Sequence, residues 1–327
     1  MKTILILSYK EDKHAQYIIR RIKKRGLKTK LVDLSLFPEK NEISFAISNS
    51  SPQSSSVKSL RTQIKDEEVA GIWCRRLGGR TVAQLRSGMD RYIASESATV
   101  VDSVEYLFPG ATWISKPQNT RLANRKIAQL VLAEKIGFQI PDTLISNSPE
   151  QVEKFIEQSG DKPVIMKPAG SALIRLSNKV ESNQNKLVYT KIIDKKEVRK
   201  NLRDVKNCPV IFQSAVMKDY DLRVTVIRDQ VYTAKIQITG CDDPTNLDWR
   251  NIQGYQEYSR HELPFEVKRD CIRIVNELGL EFGCIDLGYS KSSGYTFFEV
   301  NPQGQWLPSE IRLGYDISGH LIDSLSS

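Results

Sequence analysis

Little in this chain suits covalent or soft-metal chemistry. Its five cysteines, Cys74, Cys208, Cys241, Cys271 and Cys284, are odd in number and scattered, with no C-x-x-C pair. That argues against a disulfide framework and a structural zinc site. The three histidines, His14, His261 and His320, are equally dispersed, which speaks against a His-based metal or nucleophile centre. Long apolar runs are missing too. Stretches such as "TILIL" and "PVIF" fall far short of the ~20 residues of a membrane span. In the opening "MKTILILSYKED", Lys10, Glu11 and Asp12 interrupt the apolar stretch too early for a secretory segment. It reads as a first strand in a cytoplasmic protein. Neither G-x-x-x-x-G-K-[ST] nor G-x-G-x-x-G occurs, so any nucleotide site is of another kind.

What is present is an ordinary globular composition, 40% hydrophobic and 27% charged, at a length suited to about two domains of ~150 residues. Net charge is +9, part of it in "RRIKKRGLKTK" from Arg20 to Lys30. That stretch reads as the solvated face of a surface helix or as a patch for an acidic partner. No RNP, helix-turn-helix or zinc-finger pattern accompanies it, so nucleic acid is not the expected partner.

The class is α/β. "TILILS", "EDKHAQYIIRRIKKRG" and "KTKLVDL" read as strand, amphipathic helix ending at Gly26, and strand, a parallel βαβ unit. "EVAGIWCRR" is a later strand, and "TVAQLRSGMDRYIASESATVVDSVEYLF" is mostly helical. Between them the Ser-rich "SNSSPQSSSVKSLRTQ" reads as a surface loop. A boundary falls in "PGATWISKPQNT", Pro109 to Thr120. One long helix is expected over "RLANRKIAQLVLAEKIGF", stopped before Pro141. Ser148 is the expected N-cap of the next helix, with Gln151 completing a capping box. From there on the pattern mixes helices with mostly antiparallel strands, including "PVIFQSAV", "DLRVTVIRDQVYTAKIQI" and "YTFFEV".

The chemistry gathers at "FFEVNPQGQW", Phe297 to Trp306. A strand alternates its faces, so Glu299 and Asn301 point the same way. "FGCIDLGYS" and "YTFFEVN" are joined by "KSSG", and such a hairpin sets Asp286 beside Glu299. Two carboxylates and an amide oxygen suit Mg²⁺. The alternative is a turn role for Asn301 and a surface salt bridge for Glu299. Lys167 ends an apolar strand ahead of a Gly-Ser loop, and Lys126 opens a helix. Both positions favour phosphate, although either side chain serves equally as a surface lysine. Asp221 and Arg223 are two apart on one strand and share a face, and arginine clamps phosphate or carboxylate in a bidentate way.

"NRK", "VIMKP", "FQSAV", "DLRVTVI", "DWRN" and "CIDLGY…FFEVNPQGQW", in that order, resemble the ATP-grasp superfamily. Within it they are most similar to the graspetide synthetases, the microviridin-type peptide macrocyclases. The likeness runs from Trp113 to the C-terminus and more loosely over the segment before it. It implies a pre-ATP-grasp domain over residues 1–115, then an ATP-grasp fold whose α+β halves, 116–210 and 211–327, clasp ATP. By the same resemblance, Lys126 and Lys167 would contact phosphates. Gln213, Ser214, Ala215 and Val216 would line adenine, and Asp221 would hold the ribose. Arg223 and Arg250, with Asn251, would face the γ-phosphate and the substrate carboxylate. Asp286, Glu299 and Asn301 would hold two Mg²⁺ ions. "KPAGSALIRLS" departs from the family in lacking repeated glycines, so no residue of that loop is assigned.

The implied activity joins Asp or Glu side chains of a ribosomal precursor peptide, built of a leader and an acidic core, to Thr, Ser or Lys side chains. A homodimer is implied. Arg175 to Thr190, read as two strands about a turn, and the helix Pro264 to Gly279, with Lys268, Arg269 and Arg273, are the candidate leader surface. The rival readings are a carboxylate–amine ligase for a small molecule or protein tail, a non-catalytic nucleotide-binding module, and a basic nucleic-acid binder.

Overall fold

The computed structural model describes residues 2–50, 54–59, 62–77, 88–170, 173–175, 185–187, 190–239 and 255–326. The chain begins with β1 (Thr3–Leu7), α1 (Lys13–Lys24) and β2 (Lys28–Val32), followed by β3 (Asn41–Ala46), β4 (Ser54–Ser59), β5 (Thr62–Lys65) and β6 (Val69–Cys74). Then come α2 (Gly88–Asp102) and β7 (Thr112–Ile114). The order β2-β1-β6-β7 makes a parallel sheet, as the βαβ reading requires. Every residue of β1 is buried, and α1 covers the sheet with Ala15, Ile18 and Ile22 at helical spacing.

The Ser-rich stretch is not simply a loop. β3, β4 and β5 form an antiparallel meander in which Val57 faces Ile64, both buried. One apolar residue in "SSSVKS" gives no period-2 signal, so only the packing declares the strand.

The expected long helix is two. α3 (Pro117–Ala123) ends at Asn124, Arg125 is extended, and α4 (Lys126–Ile136) starts anew, closed by left-handed Gly137. Asparagine competes with the helix for its own backbone bonds and favours such breaks. Next are β8 (Thr143–Ser146), α5 (Pro149–Gln158), β9 (Val164–Lys167), β10 (Leu173–Arg175), β11 (Asn185–Leu187), β12 (Lys191–Ile192), α6 (Lys195–Lys200) and β13 (Val210–Ser214). Strands β12-β9-β13-β8 form an antiparallel sheet packed on α5 through Val152, Ile156 and Phe212. The Ser148 hydroxyl caps α5 by accepting from the Gln151 amide at 3.4 Å. The reciprocal half of the box is replaced, because the Ser148 amide donates to the Ser146 hydroxyl at 2.9 Å. β10 pairs with β11; most of the stretch Arg175 to Thr190 read as two strands, residues 176–184 and 188–189, lies outside the described residues.

The last section holds β14 (Tyr220–Ile227), β15 (Gln230–Thr239), β16 (Tyr255–Arg260), α7 (Phe265–Glu277), β17 (Phe282–Ser290), β18 (Gly294–Asn301), α8 (Leu307–Leu313) and α9 (Ile317–Ser326). Its strands form an antiparallel sheet in the order β16-β15-β14-β17-β18. One face packs on α4 and α7 through Leu222, Val224, Ile274, Val275 and Phe297. The other face carries the candidate site.

The first and last sections share a core. Ile4, Ile18 and Trp73 pack with Phe282, Trp306 and Leu321, and α9 lies so close to β6 that a β-carbon on Gly71 would stand 2.2 Å from the Leu325 carbonyl oxygen. The basic face of α1 meets acids of the same chain. Arg21 pairs with Glu310 at 3.2 Å and Asp316 at 2.7 Å, and Arg25 pairs with Asp323 at 2.5 Å. Among the described residues, no helix is long and apolar enough to cross a membrane.

Candidate functional site

The hairpin of β17 and β18 sets Asp286 opposite Glu299, and β14 sets Arg223 opposite Asp286. These three residues form one row across three strands. A β-bulge decides that they share a face. The register shifts by one between Asp286 and Leu287, because Phe298 is an extra residue on β18. Without it, Glu299 would sit on the same side as Phe297, which is fully buried in the core. The Phe298 ring lies over Gly288, where a β-carbon would stand 2.7 Å from it.

Arg223 donates to Asp286 at 2.6 Å and to the Gln305 carbonyl at 3.2 Å. Burial opposes its charge, but Asp286 beside it holds the guanidinium well above its ordinary range. Asn301 donates through Nδ2 to Asp286 and to Glu299, each at 3.2 Å. The close carboxylates are thus balanced by an amide dipole and a guanidinium. Turning that amide over would present a third oxygen, and the set then suits a hard divalent cation. Among the described residues, no group of three or more His, Cys, Asp or Glu forms a metal cluster.

Several contacts that shape this site have no local signature. Gln129 of α4 donates to the Val300 carbonyl at 2.7 Å and accepts from its amide at 2.9 Å. β18 is an edge strand, so Gln129 takes the place of a neighbouring strand between Glu299 and Asn301. The hint is one glutamine in the otherwise apolar run "IAQLVLA". The turn after Asn301 is held by the first section. Arg75 donates to the Gln303 carbonyl, and Arg76 donates to its side-chain oxygen at 2.9 Å. His14 Nε2 accepts from the Trp306 and Leu307 amides, both at 3.3 Å.

Buried charge supports that anchor. Burial would raise the Asp12 carboxyl. Hydrogen bonds from His14 and Ser8, with the charge of Arg75, prevail and hold it far below the usual range. Burial, with Arg76 nearby, brings Arg75 down to about 10 against the pull of Asp12. Burial likewise lowers His14.

Lys126 and Lys167 fall at one junction. Lys126 Nζ donates to the carbonyl of Pro168, the residue after Lys167, at 3.0 Å. Lys126 precedes Gln129 by one helical step, so α4 links the end of β9 to β18. The segment Gln213 to Val216, expected to line adenine, is more committed than expected. Buried Gln213 spends its side-chain amide on the Thr143 hydroxyl at 2.7 Å. The Ser214 amide donates to the Asp142 carbonyl at 2.9 Å and the Ala215 amide to Pro163 at 2.8 Å. Asp221 is buried and accepts from Lys218 at 2.6 Å, a partner the sequence reading missed. Arg250 and Asn251 lie outside the described residues. On α7, Arg269 pairs with Asp270 at 2.9 Å and Arg273 with Glu277 at 2.7 Å, so two of the three expected leader-surface cations have partners within the helix.

Two family descriptions match the chain. Residues 3–121 match the MvdD pre-ATP grasp domain, and residues 123–325 match the RimK-like ATP-grasp domain. Comparison with curated proteins found no match. Similar solved structures include the macrocyclase MdnC bound with precursor peptide MdnA from Microcystis aeruginosa, at TM-score 0.84 and 22% identity, covering 99% of each chain. A Chryseobacterium gregarium RiPP-associated ATP-grasp ligase in complex with ADP and a leader and core peptide also reaches TM-score 0.84 at 22% identity, covering 99% of this chain and 96% of that one. The ATP-grasp ligase PsnB complexed with minimal precursor, Mg and ADP gives 0.74 at 24%, covering 99% and 96%.

Proposed function

We propose, for a chain that belongs to the RimK-like ATP-grasp family, that it is an ATP-dependent ligase closing macrocycles in a ribosomal precursor peptide. The observation that carries this is the row Arg223–Asp286–Glu299 with Asn301, two carboxylates and an amide flanked by a buried arginine. The peptide-bound relatives support the choice of a peptide over a small molecule or protein tail.

Asp286, Glu299 and Asn301 would hold magnesium, which neutralises charge on the transferring phosphoryl group. Lys126 and Lys167 would draw the phosphates, with the hinge Gln213 to Val216 lining adenine. Asp221, kept in place by Lys218, would take the ribose. Arg223 orients the acid of the substrate. A side-chain carboxylate oxygen attacks the terminal phosphorus, and the bond to ADP breaks. The resulting acyl phosphate has a good leaving group, which the carboxylate lacks. A hydroxyl or amine then attacks the acyl carbon, loses its proton, and phosphate departs with its oxygen. The chain's part is positioning and charge neutralisation, which fits the scarcity of histidine and cysteine. Arg250 and Asn251 would join Arg223 at the phosphoryl group. We place the enzyme in the cytoplasm as a homodimer. It recognises a leader through Arg175 to Thr190 and α7, which raises the effective concentration of the acidic core.

The test is incubation with Mg·ATP and an acidic peptide encoded by an adjacent reading frame. ADP release with loss of one water per bond formed is expected. Turnover with free amines and no dehydrated peptide would favour the small-substrate ligase.

A further inference from the structure

The face that carries the candidate site is polar in a directional way. Its row continues past Arg223 through Ala234 to Arg260 on β16, so it runs from Glu299 and Asp286 at one edge to cations at the other. Tyr258 stands on the same face, two strands from Asp221 through Ile236. Gln129 and Lys126 bring the proposed phosphate side to the acidic edge. An anion that is not the nucleotide therefore meets the face from the β16 side.

Two arginines stand there, and among the described residues they are engaged to different extents. Arg260 donates to the Leu313 carbonyl at 2.9 and 2.6 Å and to Gly314 at 3.2 Å, closing the end of α8, and it stacks on Tyr315 at 4.9 Å. Arg312 stacks on Tyr258 at 4.4 Å and gives a single hydrogen bond, to the Gln256 carbonyl at 3.3 Å. Among the described residues it has no carboxylate partner. A guanidinium has five N–H donors, so most of those on Arg312 have no partner among the described residues. The Tyr258 hydroxyl lies within electrostatic reach of both Arg312 and Arg223. Stacking fixes the plane of the guanidinium and lowers the entropy lost when it grips a carboxylate.

We infer that Arg312, seated on Tyr258, is the residue that recognises the substrate's side-chain carboxylate and hands it toward Arg223. This rests on the ligase reading and names a specificity-determining residue within it.

The experiment measures binding of fluorescein-labelled pentaglutamate and pentaglutamine to the full chain at saturating Mg·AMP-PNP. Wild type should prefer pentaglutamate, with affinity falling as salt rises. Arg312→Gln should weaken pentaglutamate about tenfold and leave pentaglutamine and nucleotide affinity unchanged, the scale of one charge-assisted hydrogen bond. Arg312→Lys should fall between, and Tyr258→Leu should weaken pentaglutamate while Tyr258→Phe should not. Lys58→Gln, on β4 and paired with Glu42 at 2.7 Å, is the control for bulk charge. Unchanged pentaglutamate binding in Arg312→Gln, equal losses in Arg312→Gln and Lys58→Gln, or no preference in wild type would each overturn the inference while nucleotide binding stands. Failure of wild type to bind nucleotide would overturn the ligase reading and this inference with it.

Discussion

Gly304 presses against Arg223: a β-carbon there would stand 2.6 Å from Nη2 of the guanidinium and 2.3 Å from the Cys284 β-carbon. The glycine of "NPQGQW" is thus a clearance requirement for the arginine that faces Asp286. Gly304→Ala must displace the turn or strand β17, because a β-carbon cannot swing aside as a long side chain can. A loss of about 1–3 kcal/mol in denaturant unfolding is expected, with weaker Mg·ADP binding by calorimetry. Wild-type values for both would show that the turn has room to spare.

Gln129→Leu keeps the side-chain volume roughly constant and removes both bonds to Val300. An edge-strand amide and carbonyl are then buried without partners, at a cost of about 2 kcal/mol or more. Thermal unfolding should show the loss, and Mg·ADP affinity should drop because Val300 lies between Glu299 and Asn301. If stability fell and affinity did not, the glutamine would be holding the strand without shaping the proposed cation site.

Glu299→Ala removes a half-buried side chain that adds little to the core, so the fold should persist in circular dichroism while ATP turnover disappears. Peptide modification by a folded Glu299→Ala protein would remove magnesium binding from this residue.

His14 makes the N-terminal anchor sensitive to acid. Its ring nitrogen must be unprotonated to accept from the Trp306 and Leu307 amides, and burial lowers its pKa below 6.5. Asp12 pulls the other way, while Arg75 and Arg76 add to the lowering. A group with a lowered folded pKa takes up its proton more readily in the unfolded chain. Its stabilisation is complete above pH ~6.5 and is lost as pH falls from there toward the folded value. Melting temperature should therefore drop between pH 7 and 5, and His14→Gln should flatten that part of the profile. A slope identical in the variant would assign the acid sensitivity to other groups.

Elements written in local pattern were legible. The hairpin of β17 and β18 announced itself by two apolar runs about "KSSG", and the shared face of Glu299 with Asn301 follows from strand geometry. The burial of α1 is likewise plain in its spacing. Failures came where a local rule had a rival. Ser148 satisfied the first half of a capping box, but the Ser146 hydroxyl was nearer to its amide. The run Arg121 to Phe138 had helical composition throughout, yet Asn124 and Arg125 broke it. The bulge at Phe298 was invisible because consecutive phenylalanines fit a fully buried strand as well as a bulged one.

By itself the sequence determined which side chains could form a hard-oxygen site and on which hairpin they sit, since adjacent strands and a short turn leave few registers. Tertiary structure alone decided what holds that hairpin in working shape. Gln129 reaches Val300 across 171 residues, and His14 reaches Trp306 across 292. Such contacts satisfy backbone groups left over by an edge strand and a turn. Their partners are chosen by how helices and sheets pack, which no spacing along the chain records.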